Sequence, residues 1–384
     1  MSPPAGTGMN TTLHDINATV AFHDNLEADD STADLVERYS SVVREQRLSW
    51  TTHQRWIRRL GKGGQGVVYL SERRGADQFT LPIAVKVFSP ARYESSRSYE
   101  DAMERIAKVA ARVAQIQQDN LLDVHNFIDR NRIRMMVMEW VDGYDLRQLL
   151  QNERVERVRE RVSNRRWEYI NRVVISPGPE QPRIRPGVAV AVLRDCLVAL
   201  AALHREGIVH GDIKPANIML KCTGNAKIVD IGSAFHVLDP PPLRTCTPKY
   251  AAPEVLEGSE CTPRSDLASI GYVLIEMLSG KPIFGGLTAY KDLLEAKRIL
   301  PKHLDSILPE EVTVNELLMN FCRGLIAPDP MRRFPSAEAA DLVKEGAAAF
   351  HRQLVLMNLA AEYENEIRLW IEELKEMDGL ADNR

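Results

Sequence analysis

The sequence predicts an α+β protein of two lobes, one built of strands with a single helix and the other, larger lobe mainly helical. Its 384 residues exceed the length at which one hydrophobic core stops growing, so two cores are expected. Short β-type runs follow one another up to residue 138, with one helical pattern among them at residues 98–117. Beyond residue 144 longer apolar runs, such as residues 188–204, favour helices.

Composition and charge argue against several classes of protein. The formal net charge of −4, from 49 basic and 53 acidic residues, gives no indication of nucleic acid or an anionic membrane as partner. Five cysteines without C-x-x-C spacing are typical of reduced thiols. The longest apolar stretch, residues 187–203, is interrupted by Arg194 and Asp195, so no membrane span is predicted. We therefore expect a cytoplasmic protein.

The first 52 residues differ in character from the rest. Residues 1–30 are rich in Thr, Asn, Asp and Gly and poor in large apolar side chains, which predicts a flexible segment. In residues 31–52, Leu35, Tyr39 and Val42 recur at helical spacing and predict a helical extension. Strands are then predicted at residues 55–60, 66–72, 81–88, 124–129 and 132–138.

Two motifs in the strand-rich part are suited to binding phosphates. Residues 61–68 read G-x-G-x-x-G-x-V, in which absent side chains let backbone N–H groups approach an anion. A lone glycine motif is weak evidence. Eighteen residues beyond Val68, however, the β-type run Ile83-Ala84-Val85-Lys86 ends in a lysine, a side chain that can bind a phosphate.

A third motif combines a base, a cation and an amide within six residues. In the loop after the apolar pair Ile208-Val209, Asp212 can accept a hydroxyl proton, Lys214 can face a phosphate and Asn217 can hold a metal ion. A single Asp in a loop is usually a solvated carboxylate, so the spacing of the three residues carries the argument.

Two further motifs follow downstream. The apolar run 227–229 ends at Asp230, followed by Ile231-Gly232, and residues 247–254 read T-P-x-Y-x-A-P-E. The five motifs, in this order, resemble those of the eukaryotic-like Ser/Thr protein kinases, over residues 53–345. Two positions depart from the family pattern, because Gly211 stands where the catalytic loop has Arg and Ile231 where D-F-G has Phe.

The resemblance implies a bilobal protein-kinase fold. Its small lobe, residues 53–138, would be an antiparallel sheet with one helix, joined by a hinge at residues 139–143 to a large lobe at residues 144–345. It also implies that Asp266 holds the catalytic-loop backbone and that Arg333 pairs with Glu254.

The resemblance further implies ATP and Mg²⁺ as cofactors and a protein with a Ser or Thr acceptor as substrate. Catalysis would involve Asp212, Lys214, Lys86 and Thr247, with Thr247 bridging Asp212 and Lys214, while Asn217 and Asp230 would hold the metal. The nucleotide would contact the glycine-rich turn, the strands around it and the hinge, at Leu60, Gly61, Gly63, Gly66, Val68, Ala84, Lys86, Glu139, Val141 and Met219.

Two other functions remain open at this point. Small-molecule phosphotransferases resembling aminoglycoside or choline kinases often carry H-G-D in this loop, as here at residues 210–212, but the A-P-E segment and its Arg333 partner argue against them. A pseudokinase scaffold that binds nucleotide without efficient transfer would fit the departures at Gly211 and Ile231. The retained Lys86 and Asp230 count against it.

The position of the Lys86 partner is the weakest point of the resemblance. Active kinases pair this lysine with a Glu on the small-lobe helix. Here the apolar stripe of that helix leaves Glu104 on the opposite face, and the usual Glu position falls at Val109. We therefore predict that the resting chain lacks a well-formed Lys–Glu pair. The alternative is an irregular helix that brings Glu104 inward.

Two segments fall outside the family pattern. Residues 151–186 hold nine Arg against five Glu, which predicts a helix or hairpin projecting into solvent, with a docking site for an acidic partner as the alternative. Residues 346–384 form a predicted helical extension, in which the stripe including Ile367, Trp370 and Leu374 would pack on the kinase body or form a dimer.

Overall fold

The computed structural model describes residues 53–242, 246–287, 289–342, 346–356 and 363–381. All of them belong to one compact unit that begins at His53. The predicted flexible segment 1–30 and the predicted helix at 31–52 lie outside the described residues.

The small lobe is a five-stranded sheet in the order β1-β2-β3-β5-β4, and every neighbouring pair is antiparallel, which confirms the sheet type implied by the resemblance. The strands are β1 His53–Gly63, β2 Gly66–Arg74, β3 Thr80–Phe88, β4 Val124–Arg130 and β5 Ile133–Glu139. β1 and β2 join through the two residues Gly64 and Gln65. A Cβ on Gly66 would lie 1.9 Å from the carbonyl oxygen of Val87, so only glycine lets β2 approach β3 here.

One long helix, α1 Ser96–Val113, packs on this sheet and begins at a capping box formed by Ser95 and Ser98. It buries Tyr99, Met103 and Val109 among others. The prediction extended the helix to residue 117, four residues too far. After Val113 the chain tightens into i→i+3 hydrogen bonds, such as Ile116 N to Val113 O, which end the α-helical ladder.

The large lobe is mainly helical, as predicted. Its helices are α2 Leu146–Leu149, α3 Asn152–Arg159, α4 Asn164–Val173, α5 Pro186–Arg205, α6 Pro253–Leu256, α7 Pro263–Ser279, α8 Tyr290–Ile307, α9 Glu310–Thr313, α10 Glu316–Ile326, α11 Ala337–Leu342, α12 Ala347–Leu356 and α13 Tyr363–Ala381. Its short strands are β6 Gly143–Asp145, β7 Ile175–Ser176, β8 Arg183–Ile184, β9 Ile208–Val209, β10 Ile218–Lys221, β11 Ala226–Ile228 and β12 Phe235–His236.

Helix α5 is the central helix of this lobe. It is long and apolar enough to cross a membrane, but 72% of its apolar window is buried inside the protein, against α7 and α11 among other elements. Core helices of this kind have the same composition as membrane spans because both are apolar on all sides. No other helix in the described part of the chain passes the same length and composition test.

The basic insertion does not project into solvent as predicted. Residues 152–173 form α3 and α4, and Val155, Val158 and Ile170 are buried. Arg154 lies 3.2 Å from an Asp378 carboxylate oxygen of α13. The prediction failed because it weighed the many arginines and not the few apolar residues that α13 covers.

Helix α13 packs on the large lobe through the predicted stripe. Trp370 is 1% exposed and Ile367, Leu374 and Met377 are also buried. Its acidic side faces the insertion, where Arg166 binds both Glu366, at 3.3 Å, and Glu373, at 2.7 Å. Part of the insertion's positive charge is therefore neutralised within the chain itself.

The end of α13 also reaches the segment that joins the two lobes. Lys375 Nζ lies 2.5 Å from an Asp142 carboxylate oxygen, and the Tyr144 hydroxyl donates to Asp378 at 2.7 Å. Burial first, and then the neighbouring Asp378 carboxylate, raise the pKa of Tyr144 well above its ordinary value. The hinge segment thus has a contact with α13 on its outer side.

Lys297 of α8 is fully buried beneath the segment that follows Thr247. Its ammonium donates to the carbonyl oxygen of Lys249 at 2.7 Å and lies 4.0 Å from the ring centroid of Tyr272 and 4.2 Å from that of Phe284. Burial lowers the pKa of Lys297 from 10.5 to about 6, although the carbonyl and the two ring faces favour the charged form. Burial thus favours the neutral amine in the folded protein above pH 6.

Replacing Trp370 with Ala should lower the free energy of unfolding by about 3–5 kcal/mol, because it removes a fully buried indole. The matched control is Glu372→Ala, at a half-exposed position of the same helix, which should change stability by less than about 0.5 kcal/mol. Urea unfolding at two protein concentrations measures both effects. An unchanged midpoint for Trp370→Ala would contradict packing on the body, and a wild-type midpoint that rises with protein concentration would indicate a dimer contact.

Replacing Lys297 with Met should remove a pH dependence of stability. Between pH 6 and 10.5 the amine is neutral when folded and protonated when unfolded, so unfolding takes up a proton and wild-type stability rises with pH, by up to about 1.4 kcal/mol per pH unit. The free energy of unfolding of Lys297→Met should therefore exceed that of the wild type by the largest amount near pH 7. This difference should shrink towards pH 9.5. Equal pH profiles in urea unfolding, with the exposed Lys302→Met as control, would contradict this.

Candidate active site

The loop that carries Asp212 is held by one carboxylate of α7. Asp266, 1% exposed, accepts the backbone N–H groups of His210 at 2.8 Å and Gly211 at 2.9 Å, and its Oδ2 lies 2.9 Å from His204 Nε2. Burial alone would raise the pKa of Asp266, but the two imidazoles and the Gly211 N–H hold it below its ordinary value. The resemblance implied this role for Asp266.

Asp212 lies at the centre of a network of short hydrogen bonds. Its Oδ1 accepts from the Thr247 hydroxyl at 2.7 Å and from the Thr247 backbone N–H at 3.0 Å, and its Oδ2 accepts from Lys214 Nζ at 2.7 Å. Lys214 also donates to the Thr247 hydroxyl at 3.0 Å. Thr247 thus bridges Asp212 and Lys214 as the resemblance implied. A carboxylate fixed in this way is oriented for proton transfer.

Gly211 has a positive φ of 75°, a conformation in which a side chain would be strained. Gly211 also lies close to the segment after Asp230, because a Cβ on Gly211 would lie 3.3 Å from the Ser233 carbonyl oxygen. The absence of Arg at this position therefore fits the local backbone.

Asp230 and Asn217 lie on neighbouring backbone segments, since the N–H of Val229 donates to the Asn217 carbonyl at 2.8 Å. The side-chain amide of Asn217 donates to the Asp212 carbonyl at 2.8 Å, and among the described residues no donor is bonded to its Oδ1. One carboxylate and one amide oxygen are the ligands that Mg²⁺ prefers. These two residues therefore fit a magnesium site.

Asp230 has the left-handed backbone angles φ 66° and ψ 78°, which are uncommon for a residue with a side chain and concentrate at functional sites. Its Oδ1 accepts from Lys86 Nζ at 2.5 Å and from the Gly232 N–H at 3.0 Å. Burial would raise the pKa of Asp230, but the Lys86 ammonium and this N–H hold it below its ordinary value. The carboxylate is therefore ionised and available to a cation at neutral pH.

Lys86 lies on β3 and is only 3% exposed. Its ammonium binds Asp230 and the side-chain oxygen of Gln65, at 2.7 Å. Glu104 lies on the outer face of α1, with its side chain 67% exposed and 2.7 Å from Lys108. The structure thus agrees with the predicted absence of a Lys–Glu pair and not with the alternative in which Glu104 turns inward.

The predicted nucleotide-binding residues lie on β1, β2, β3, β5 and β10 and in the hinge. Ala84 on β3 is paired with Met138 on β5, and Val68 and Met219 are partly buried beside the core. In the hinge, the N–H of Val141 has no hydrogen-bond acceptor among the described residues, which suits it to an adenine nitrogen. Leu60 of β1, by contrast, is 37% exposed.

The Glu139 side chain is already bound by two donors of this chain. It accepts hydrogen bonds from the Asp123 N–H and from the Lys227 ammonium, so any part of Glu139 that binds a nucleotide belongs to its backbone. The glycine-rich residues Gly61, Gly63 and Gly64 have open space where a Cβ would lie. These glycines are therefore not needed to avoid a steric clash. What they can contribute to a site is conformational freedom and backbone N–H groups.

Sequence reasoning missed Gln65 and Ser233. Gln65 bridges the glycine-rich turn and the segment after Asp230, because its Nε2 donates to the Ser233 hydroxyl at 2.7 Å while its Oε1 accepts from Lys86. The sequence signal that could have identified Gln65 is a polar residue with a long side chain between two glycines. The family motif leaves this position unspecified.

A family model described as the protein kinase domain matches residues 54–343 of this chain. The match covers most of the chain and includes every predicted site residue. It ends before α12 and α13.

Curated relatives are bacterial Ser/Thr protein kinases. PknD of Mycobacterium tuberculosis is 30% identical over 285 residues, which make up 73% of this chain and 37% of PknD. PrkC of Bacillus subtilis is 27% identical over 329 residues, or 84% of this chain and 43% of PrkC. PknL of Mycobacterium tuberculosis is 30% identical over 294 residues, or 75% of this chain and 63% of PknL. The chain thus spans less than half the length of PknD and PrkC.

Proposed function

The chain belongs to the protein kinase family, and from this premise we propose that it transfers the γ-phosphoryl group of ATP to Ser or Thr hydroxyls of protein substrates. The observation that carries the proposal is the Asp212 carboxylate, bonded on one oxygen to Thr247 and on the other to Lys214. Lys214, two residues after the base, is the position that favours Ser or Thr acceptors in the family.

Each residue of the site has one task in the proposed reaction. Asp212 accepts the proton of the substrate hydroxyl as the hydroxyl oxygen bonds to the γ-phosphorus and the bond to the β–γ bridging oxygen breaks, which leaves ADP. Lys214 stabilises negative charge on the transferring group, and Lys86 orients the α- and β-phosphates. Asp230 and Asn217 would hold Mg²⁺, which supplies charge neutralisation at the phosphates when bound.

One observation favours a second candidate, a pseudokinase scaffold that binds nucleotide without efficient transfer. Helix α1 supplies no carboxylate to Lys86 in the described structure, because its acidic residues Glu100 and Glu104 pair with Arg132 and Lys108 on the surface. The intact Asp212 network favours the active enzyme.

Competition between acceptors tests the proposal directly. Purified protein is incubated with Mg²⁺ and γ-labelled ATP in the presence of a generic basic protein, an aminoglycoside and choline. We expect label on Ser and Thr of the protein acceptor. Label on the aminoglycoside or choline would support a small-molecule phosphotransferase, and nucleotide binding without any label would support the scaffold.

Asp212→Asn and Asp230→Asn should each abolish transfer without unfolding the protein, because both changes keep the size and shape of a polar loop residue. Loss of the base is expected to cost about 10² to 10⁴ in rate, and loss of the metal ligand at least as much, since charge stabilisation and geometry are lost together. Label transfer and circular dichroism measure the two effects. Exposed Asp119→Asn is the control, and wild-type rates in both site variants would point to a contaminating kinase.

A further inference from the structure

Helix α1 does not supply the group that orients Lys86. Its three acidic residues, Glu100, Asp101 and Glu104, all lie in its first half, and the two that form ion pairs bind Arg132 and Lys108. The position where the family usually has this Glu is Val109, which is buried and lines a pocket together with Gly232. A lysine that must hold phosphates therefore needs another anchor.

In the structure, the side chain that contacts Lys86 in place of a helix carboxylate is Gln65. Its Oε1 accepts from Lys86 Nζ at 2.7 Å and its Nε2 donates to the Ser233 hydroxyl at 2.7 Å. The assignment of the two amide atoms follows from the ammonium, which has only donors and must face an acceptor. A Cβ on Gly232 would lie 2.2 Å from Gln65 Oε1 and 2.6 Å from Lys86 Nζ, so the contact is tightly enclosed.

The backbone of Gln65 is fixed although it lies in a glycine-rich turn. Its carbonyl oxygen accepts from the N–H of Ser89 at 2.9 Å, at the end of β3. The next residue, Gly66, is paired with Phe88 in the same ladder. The Gln65 side chain that contacts Lys86 is therefore anchored by the same sheet that carries Lys86.

On the premise of the proposed function, we propose that Gln65 is a positioning residue that replaces the missing helix carboxylate and holds Lys86 for the phosphates. A neutral amide suits this site, because Lys86 and Asp230 already balance each other's charge. Lys86 keeps a third N–H for a phosphate oxygen.

The first test is a double-mutant cycle of Gln65→Met and Lys86→Met. Gln65→Met should lower kcat by about 10- to 100-fold, since small misplacements of positioning groups cost about this much, and change the KM for ATP much less. In the Lys86→Met background the same change should have less than about a twofold effect, because its target is gone. Gln117→Met, at an exposed glutamine, is the matched control.

The second test restores the carboxylate on the helix. Val109→Glu in the Gln65→Met background should recover part of the lost kcat, whereas Val109→Leu in the same background should not. Circular dichroism of each variant corrects the rates for folded protein, because a Glu at this buried position lowers stability.

A third measurement needs no catalysis and separates this proposal from the proposed function. The rate of Lys86 acetylation by dilute acetic anhydride, followed by mass spectrometry, should rise several-fold in Gln65→Met and stay unchanged in Gln117→Met. A higher kcat in Gln65→Met would show that Gln65 obstructs the site, and an equal loss in the Lys86→Met background would show that it acts elsewhere. Either result, or an unchanged acetylation rate, overturns the proposal, whereas wild type that never transfers phosphate overturns only the proposed function.

Discussion

The candidate site depends on the first turn of α7. Asp266 in this turn accepts two successive backbone N–H groups of the loop that carries Asp212. In the same turn, Ser265 donates to Glu254 at 2.8 Å, and the Arg264 carbonyl accepts from Arg333 at 2.9 Å. Arg333, whose side chain is fully buried, also binds both oxygens of Glu254, each at 2.7 Å. One turn of helix thus fixes both the loop that carries Asp212 and the segment that contacts Asp212.

Such an arrangement explains why loop residues can be held to a defined geometry. A loop has few backbone hydrogen bonds of its own, so its shape must come from groups outside it. The helix dipole at the start of α7 also favours the negative charge of Asp266. Removing the Asp266 carboxylate would leave the N–H groups of His210 and Gly211 without their acceptor. Asp212 would then lose its fixed position relative to Thr247.

Much of the fold and the site was predictable because the relevant signals are local. The strand bounds were correct to within about three residues, since β-type runs and glycines mark them directly. The Asp212, Lys214 and Asn217 cluster followed from spacing within one loop. The end of α1 was missed because apolar periodicity continued through Ile116 while the backbone had already tightened.

Contacts between distant segments were not predictable in this way. Gln65 and Ser233 are 168 residues apart, and nothing in either local sequence specifies the other. Lys297 lies in an amphipathic helix where a lysine normally indicates solvent, and only the packing of Tyr272 and Phe284 shows that it is buried. The prediction that residues 151–186 project into solvent was wrong for the same reason, because the helix that covers their apolar residues is the distant α13.

Helix α13 extends the compact unit beyond the family domain. The family match ends at residue 343, yet Trp370 is buried and Tyr363 contacts Gly187 at the start of α5. A chain shortened to the family boundary would therefore expose an apolar surface on its central helix and leave Arg166 without its carboxylates. Truncation at residue 343 should therefore lower solubility as well as stability, because the family match alone does not contain the residues that cover this apolar surface.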